Sequence, residues 1–257
     1  MRRRVFNPGL WWVVSIALVV PASAQRGPAR GQGGAGSDGM CQSLMANVPA
    51  QDLDLDEATR LVFMREEEKF ARDVYRKLYE IWRIPMFANI ALSEQRHFDA
   101  LGVLIQRYQL PDPAFEKADG EFTDSRLSVL YRDLVDKGQT SPAAALRIGA
   151  TIEDLDIRDL GEAIRRTDNE DLKIVYGNLQ RGSRNHLRAF VGQLEAVGEY
   201  YAAQYMDPSE MEAVLSTPNE RGWTGGSGGR GPRGRGRGGY GYPCGQSSPD
   251  RRPNCPL

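Results

Sequence analysis

Ser93-Glu94-Gln95-Arg96-His97 places a glutamate and a histidine three residues apart within an apolar helical pattern. Side chains at this spacing lie on one face of a helix. The segment contains one of only two histidines in the 257-residue chain. The other, His186, follows Gly182-Ser183-Arg184-Asn185, which also lies in the middle of a helical pattern. If these two points face each other across one core, the chain is a metal-binding protein.

The sequence around this segment predicts an all-α protein. From about residue 53 to residue 216, apolar side chains recur every three to four positions, and no segment alternates as a strand does. Capping residues, prolines and glycines mark the helix ends. They predict four long helices and two short ones, at about residues 54–82, 86–108, 125–137, 141–166, 168–196 and 208–216.

The order of these helices predicts a four-helix bundle. The segment 109–140 separates the second long helix from the third and carries the short helix 125–137. Bundles whose two halves are joined by a long crossover have this order. We therefore expect a four-helix bundle with a long connection between its second and third helices, and a short extra helix within that connection.

The apolar stripe of each long helix is interrupted near its middle by acidic or histidine side chains. Their spacing places them on the inward face, where carboxylates buried together without compensation are costly. No lysine or arginine lies on these stripes. Iron, manganese or zinc would balance the charge, since carboxylates and imidazoles suit these metals. The candidate metal ligands are Glu68, Glu94, His97, Glu153, Asp156 and His186.

Each candidate, taken singly, also has an ordinary structural interpretation. Glu68 belongs to the acidic run 66–68, which is typical of a solvated helix face, and Glu67 competes with it because apolar residues flank both. Asp156 could be a surface acid, and a lone histidine such as His186 is more often a hydrogen-bonded core or surface residue than a ligand. Their similar depth in four predicted helices favours a shared metal site.

The same residues lie in motifs that resemble known proteins. The segment EKFARDVY, which begins at Glu68, is similar to the first-helix pattern of rubrerythrins and ferritins, where alanine and tyrosine follow a ligand glutamate at plus three and plus seven. More closely, residues 55–215 resemble a bacterial and archaeal ferritin-like domain family of unknown function. The motifs that carry this resemblance are EEEKFARDVY at 66–75, SEQRH at 93–97, GATIEDLDIRDL at 149–160 and NLQRGSRNHLRAF at 178–190. The resemblance implies a ferritin-like fold with a carboxylate-bridged di-metal centre.

The fourth-helix motif departs from the di-iron pattern. Ser183 stands where the relatives have a glutamate that usually bridges the two metals. Asp156 could replace that carboxylate, because it lies one helical turn from Glu153 on the same face. With Asp156, four carboxylates and two histidines would neutralise two divalent ions. Without it, a site for a single metal ion becomes the better interpretation.

The resemblance also implies a chemistry. Two ferrous ions held in this way would react with oxygen or peroxide, so we expect a ferroxidase or peroxidase type of oxidoreductase with two iron ions, or manganese or zinc in their place. Tyr75 would either support this reaction or be an ordinary core tyrosine. No rubredoxin-type cysteines are present, so repeated reduction would need an outside electron donor.

A second function class stays open at this point. The chain could be a non-enzymatic binding or structural module that acts through its surface or its tail, with a structural, single or absent metal. A homodimer is compatible with either function. The net charge of −1 does not indicate a particular partner.

The two ends of the chain differ in composition from the middle. Residues 1–24 have the basic start, the apolar centre and the Ala22-Ser23-Ala24 end of a cleaved signal peptide. We expect export to the periplasm or the extracellular space, with no transmembrane anchor in the mature chain. A flexible linker at 25–52, a ferritin-like domain at 53–217 and a disordered tail at 218–257 complete the predicted organisation.

The tail is rich in glycine and arginine and resembles the Arg-Gly segments of RNA-binding proteins. Export would separate it from nucleic acid, so we expect no nucleic-acid partner and prefer contact with anionic polymers of the cell envelope. Export also permits disulfides. The pairing of Cys41, Cys244 and Cys255 is left open by the sequence.

Overall fold

The computed structural model describes residues 48–221, and this part of the chain contains six helices and no strand. The helices are α1 (Leu55–Trp82), α2 (Pro85–Arg107), α3 (Ser125–Gly138), α4 (Pro142–Arg166), α5 (Glu170–Ala196) and α6 (Pro208–Leu215). The prediction of an all-α fold is confirmed for these residues. The predicted signal peptide, most of the linker, the glycine-rich and arginine-rich part of the tail and all three cysteines lie outside the described residues.

The helix ends follow from local chemistry. Asp54 caps α1, since its side chain accepts a hydrogen bond from the Glu57 backbone while the Glu57 side chain accepts one from the Asp54 backbone. The Ser141 hydroxyl caps α4 by accepting a hydrogen bond from the Ala144 backbone, and a proline follows at the first helical position. The first helix ends at Trp82, as predicted, and its C-cap residue Arg83 has a left-handed φ of 54°. Pro85 is the first residue of α2.

The four long helices pack as two close pairs, α1 with α2 and α4 with α5, and the pairs face each other. The core between them has two apolar clusters. One contains Leu61, Leu101, Leu160 and Leu179. The other contains Tyr75, Phe87, Leu146 and Phe190. Each long helix carries buried polar side chains between the two clusters, and together they form a polar layer across the middle of the core: Glu68, Glu94, His97, Glu153 and His186.

The connection between α2 and α3 is attached to the outer face of α1 by charged side chains. Arg65 forms a two-pronged ion pair with Asp112, and the buried Lys69 donates to the Ala118 carbonyl. The buried carboxylate of Glu66 accepts hydrogen bonds from the backbone amides of Thr123 and Asp124. The acidic run 66–68 is therefore not a solvated face.

A second buried carboxylate attaches the segment after α5. The side chain of Asp154 on α4 is fully buried and accepts hydrogen bonds from the Tyr201 hydroxyl. It also accepts them from three consecutive backbone amides, those of residues 204–206. Hydrogen bonds to a charged group are the stronger ones, so this one side chain holds a whole turn of chain against α4.

None of the helices between residues 48 and 221 combines the length and the apolar character that crossing a membrane requires.

Replacing Asp154 with alanine is expected to lower the free energy of unfolding by about 3 kcal/mol, because several buried donors lose a charged acceptor at once. Chemical denaturation followed by circular dichroism measures this change. Asp133→Ala on the exposed face of α3 is the control and should leave stability nearly unchanged. Equal stability of the two variants would contradict the anchoring role of Asp154.

Candidate metal centre

The polar layer brings together side chains from all four long helices. In its first half, the Nδ1 atom of His97 lies 2.8 Å from Oε2 of Glu94 and 3.2 Å from Oε2 of Glu68. Glu94 and His97 are one turn apart on α2, and Glu68 reaches them from α1. All three residues are buried. The Glu-x-x-His segment of the sequence therefore faces the core together with the first-helix glutamate.

The second half of the layer is built on the same glutamate. The Nδ1 atom of His186, on α5, lies 2.8 Å from Oε1 of Glu94 and 3.5 Å from Oε2 of Glu153 on α4. The two carboxylate oxygens of Glu94 therefore face different histidines. The imidazole rings of His97 and His186 lie 5.7 Å apart between centroids, with an angle of 27° between their planes.

Tyr75 closes the layer towards the aromatic part of the core. Its hydroxyl donates a hydrogen bond to Oε1 of Glu153 at 2.6 Å, and its ring packs against Phe87 and Phe190. Tyr75 is fully buried. Burial, followed by the charge of Glu153, raises the pKa of this tyrosine well above its usual range, so it keeps its proton and acts as a donor.

A glycine makes room for the His97 ring. A Cβ atom added to Gly182 on α5 would lie 2.5 Å from Nε2 of His97, closer than such atoms normally approach. The close approach of α5 to this imidazole therefore requires glycine at position 182.

The pKa values of the layer reflect burial and mutual charge. Burial raises the pKa of Glu68 well above its usual range, and the charges of Asp156 and Glu94 raise it further. Burial also raises the pKa of Glu153, to about 7, against the opposing effect of His186. Carboxylates this close together cannot all ionise cheaply unless positive charge balances them.

Glu94 and His186 form the charged pair within the layer. Burial alone would raise the pKa of Glu94, but His186 and His97 outweigh it and hold this pKa below its usual range. Burial alone would lower the pKa of His186, but Glu94 and Glu153 outweigh it and raise the pKa to about 10. A proton on His186 thus supplies part of the positive charge that the carboxylates need.

Asp156 and Glu67 lie beside the layer rather than within it. Asp156 is partly exposed, and one of its oxygens, Oδ2, accepts a hydrogen bond from the buried hydroxyl of Ser183. Glu67 is also partly exposed, and burial, followed by Asp159 and Asp156, raises its pKa well above the usual range. Glu68, and not its competitor Glu67, therefore faces the two histidines.

Five of the six predicted ligands form two sets that fit a divalent cation. Glu68, Glu94 and His97 offer ligand atoms that all lie within 4.8 Å of one another, and Glu94, Glu153 and His186 do the same. Asp156 belongs to neither set. The Oε1 atom of Glu68 is buried without a hydrogen-bond partner among the described residues. Carboxylate and imidazole donors with an open oxygen are a suitable donor set for iron, manganese or zinc.

The inward acids and histidines were predictable from the sequence because each interrupts an apolar stripe. The role of Gly182 was not, since a helix can contain glycine for several reasons, and only the close packing of the His97 ring shows why position 182 needs one. The anchoring role of Asp154 was also missed. It points away from the apolar seam, and its partners lie about 50 residues further along the chain.

Comparisons with known proteins place the chain in a family. A family model described as an uncharacterized protein domain, DUF2202, matches residues 57–218. The uncharacterized protein MJ0754 of Methanocaldococcus jannaschii is 48% identical over 178 residues, which cover 69% of this chain and 96% of that protein. The crystal structure of hypothetical protein MJ0754 from Methanococcus jannaschii matches with a TM-score of 0.67 at 48% identity, over 68% of this chain and 99% of that one.

Gly182→Ala is expected to displace the His97 ring from Glu68 and Glu94, because the new Cβ atom takes the space of Nε2. Overpacking of this kind costs about 1–3 kcal/mol. Gly177→Ala, on the same helix with nothing near its added Cβ atom, is the matched control and should be neutral or stabilising. Denaturant titrations measure the stability, and NMR of the His97 imidazole measures its displacement. The role of Gly182 is wrong if both variants behave alike.

Proposed function

The chain belongs to the DUF2202 family, and on this premise we propose that it is a ferritin-like four-helix metal-binding protein with a carboxylate and histidine centre for two iron ions. Manganese or zinc would fit the same donors. The proposed reaction is oxidation of ferrous iron, or consumption of oxygen or peroxide. The sequence of residues 1–24 supports export, so we propose that this chemistry takes place in the periplasm or outside the cell.

One observation carries the proposal, namely that the two sets of ligand atoms share Glu94. Its two carboxylate oxygens face His97 and His186 respectively, each at 2.8 Å. A carboxylate placed between two donor sets is the arrangement expected of a bridging ligand for two cations. The ligand side chains come from all four long helices. This supports the ferritin-like part of the proposal, since metal sites in helix bundles take their ligands from facing helices.

The protein's own residues would prepare the site in three ways. Glu68 and Glu153 bring negative charge from opposite helix pairs, and the two apolar clusters above and below the layer keep water away. Tyr75 fixes one oxygen of Glu153 by its hydrogen bond and leaves Oε2 of that carboxylate directed towards His186. Bound iron would supply the electrons that reduce oxygen or peroxide.

A non-enzymatic function is the second candidate, and a specific observation supports it. His186 Nδ1 lies 2.8 Å from Glu94 and 3.5 Å from Glu153, and these carboxylates raise the pKa of His186 to about 10, so a proton on His186 would balance part of the buried charge without any cation. The same residues could therefore hold a structural ion, or no ion, while the surface or the tail carries the function. The oxygen or peroxide partner, the envelope polymers and a homodimer remain proposals under either function.

The full chain is expected to bind two divalent ions, measured as metal content after dialysis against iron, manganese or zinc. Glu94→Gln removes the shared carboxylate and should abolish binding at both positions, whereas Glu68→Gln should leave one ion. Loss of a ligand side chain should weaken binding by at least about 100-fold. Glu80→Gln, at an exposed position of α1, is the control and should retain both ions. A full complement of metal in Glu94→Gln would falsify the shared site.

The oxidation reaction is tested separately. Protein loaded with ferrous iron without air, then mixed with oxygen or peroxide, is expected to develop near-ultraviolet absorbance as the iron is oxidised. Protein loaded with zinc is the control and should give no signal, since zinc has no redox chemistry. If iron binds at both positions but is oxidised no faster than iron in buffer, the non-enzymatic function is the better one.

A further inference from the structure

Helix α5 has a second charged face, on the side away from the polar layer. Arg184 and Arg188 lie two positions before and after His186, and a turn of about 100° per residue places them on the opposite side of the helix. Arg181 precedes Arg184 by three residues and shares its face. Three arginines therefore follow one another along the outside of α5.

The carboxylate of Glu220, which follows α6, is the partner of two of these arginines. Nε and Nη2 of Arg184 donate to Oε1 and Oε2 of Glu220 at 2.7 and 2.5 Å. Guanidinium groups recognise carboxylates and phosphates by this two-pronged geometry. Nη2 of Arg188 donates to Oε1 of the same carboxylate at 3.2 Å. Gln180 accepts from Nη1 of Arg184 at 3.1 Å and so orients the guanidinium plane.

The backbone of the same segment is held separately. The Asn185 amide nitrogen donates to the Glu220 carbonyl at 3.0 Å, and its Oδ1 accepts from the Glu220 backbone amide at 2.9 Å. Arg188 holds the residues before it, since Nε donates to the Val214 carbonyl and Nη2 to the Thr217 hydroxyl, at 2.8 and 2.7 Å. Glu220 is thus a distinct point of attachment, three residues beyond Thr217.

Arg181 makes this face more positive than Glu220 can balance. Its Nη1 atom is buried and has no hydrogen-bond partner anywhere in the described segment 48–221. A buried donor without an acceptor is unfavourable, and more so when the group is charged. Within that segment, the ion pairs of Arg184 and Arg188 are both with Glu220. Three guanidinium groups therefore share one negative charge on this face.

We propose that Arg181, Arg184 and Arg188 form a binding site for a phosphate-type oxyanion, and that Glu220 occupies this site as a built-in competitor. A phosphate dianion carries twice the charge of a carboxylate and has further oxygens for a third guanidinium. The Glu220 side chain is 31% exposed, so a small anion reaches the site from solvent. Because the site lies on the far side of α5 from the candidate metal centre, it does not depend on the proposed function.

Binding of the oxyanion has a consequence for the chain that follows. Val214 and Thr217 keep their contacts with Arg188 when the Glu220 carboxylate is displaced, whereas the residues after Thr217 lose their ionic attachment to α5. The chain continues from there into the glycine-rich and arginine-rich sequence 222–241. The oxyanion therefore acts as a ligand that releases the first residues of the tail.

Titration calorimetry of the full chain with inorganic phosphate tests the site. Glu220→Gln is expected to bind phosphate at least about 10-fold more tightly than wild type, since a site that is open only part of the time binds with reduced apparent affinity. Arg181→Gln added to Glu220→Gln should weaken phosphate binding by about 10-fold, because one charged hydrogen-bond donor is lost. Arg132→Gln, at an exposed position of α3, is the control and should bind phosphate like wild type.

Hydrogen exchange of the Glu220 backbone amide, which is bonded to Asn185, measures the release. Saturating phosphate is expected to abolish the protection of this amide in wild type. Arg181→Gln alone should leave the protection intact without phosphate, because Glu220 is held by Arg184, Asn185 and Arg188. The same variant should need about 10-fold more phosphate for release. A merely structural role for Arg181 would not produce this difference.

Two further probes separate the sources of the oxyanion. Acetate, which has the single charge of the Glu220 carboxylate, should bind Glu220→Gln at least about 10-fold more weakly than phosphate. Equal binding of glycerol phosphate and inorganic phosphate supports a phosphoryl group on a larger molecule, and binding of inorganic phosphate alone supports the free ion. The proposal is overturned if Glu220→Gln binds phosphate no better than the same variant carrying Arg184→Gln. Circular dichroism verifies that each variant is folded.

Discussion

The cost of placing several carboxylates in an apolar core is the constraint on which this structure depends. The polar layer lies between two apolar clusters and contains Glu68, Glu94 and Glu153, all buried. Isolated charges in such a place would cost far more than any single contact returns. Their nearest polar neighbours are the imidazoles of His97 and His186 and the hydroxyl of Tyr75, which donates to Glu153. Every helix that contributes to the layer must keep its register for these contacts to hold.

Charged side chains are also buried on the outer faces of the helices. Arg65, Glu66 and Lys69 on α1, and Asp154 on α4, are largely buried although none of them points into the apolar core. They fasten irregular segments of chain whose backbone groups would otherwise lack partners. The two kinds of polar residue are close neighbours on α1, since Glu66 holds the connection while Glu68, two positions on, faces His97. Helical geometry turns successive residues by about 100 degrees, which is why neighbouring glutamates have unrelated roles.

The sequence was sufficient for much of the fold. Periodicity, Asp54, Ser141 and the prolines predicted all six helices of the described chain within a few residues, because these signals are local. The inward acids and histidines were also predictable, since each breaks an apolar stripe. The paths of the segments packed on α1 and α4 were not predictable, because the partners of Glu66 and Asp154 are about 50 or more residues away in the chain. Nor was the position of Asp156 beside the two ligand sets, which depends on the packing of α4 against α5.

The sharing of Glu94 has a thermodynamic consequence. Its carboxylate joins the helix pair α1 and α2 to the pair α4 and α5, because one oxygen serves each histidine. Anything that occupies one half of the layer fixes the plane of this carboxylate and changes the charge felt by the other half. Under the proposed function, occupation of the two halves would therefore be coupled, and the coupling free energy would be the same whichever half is filled first.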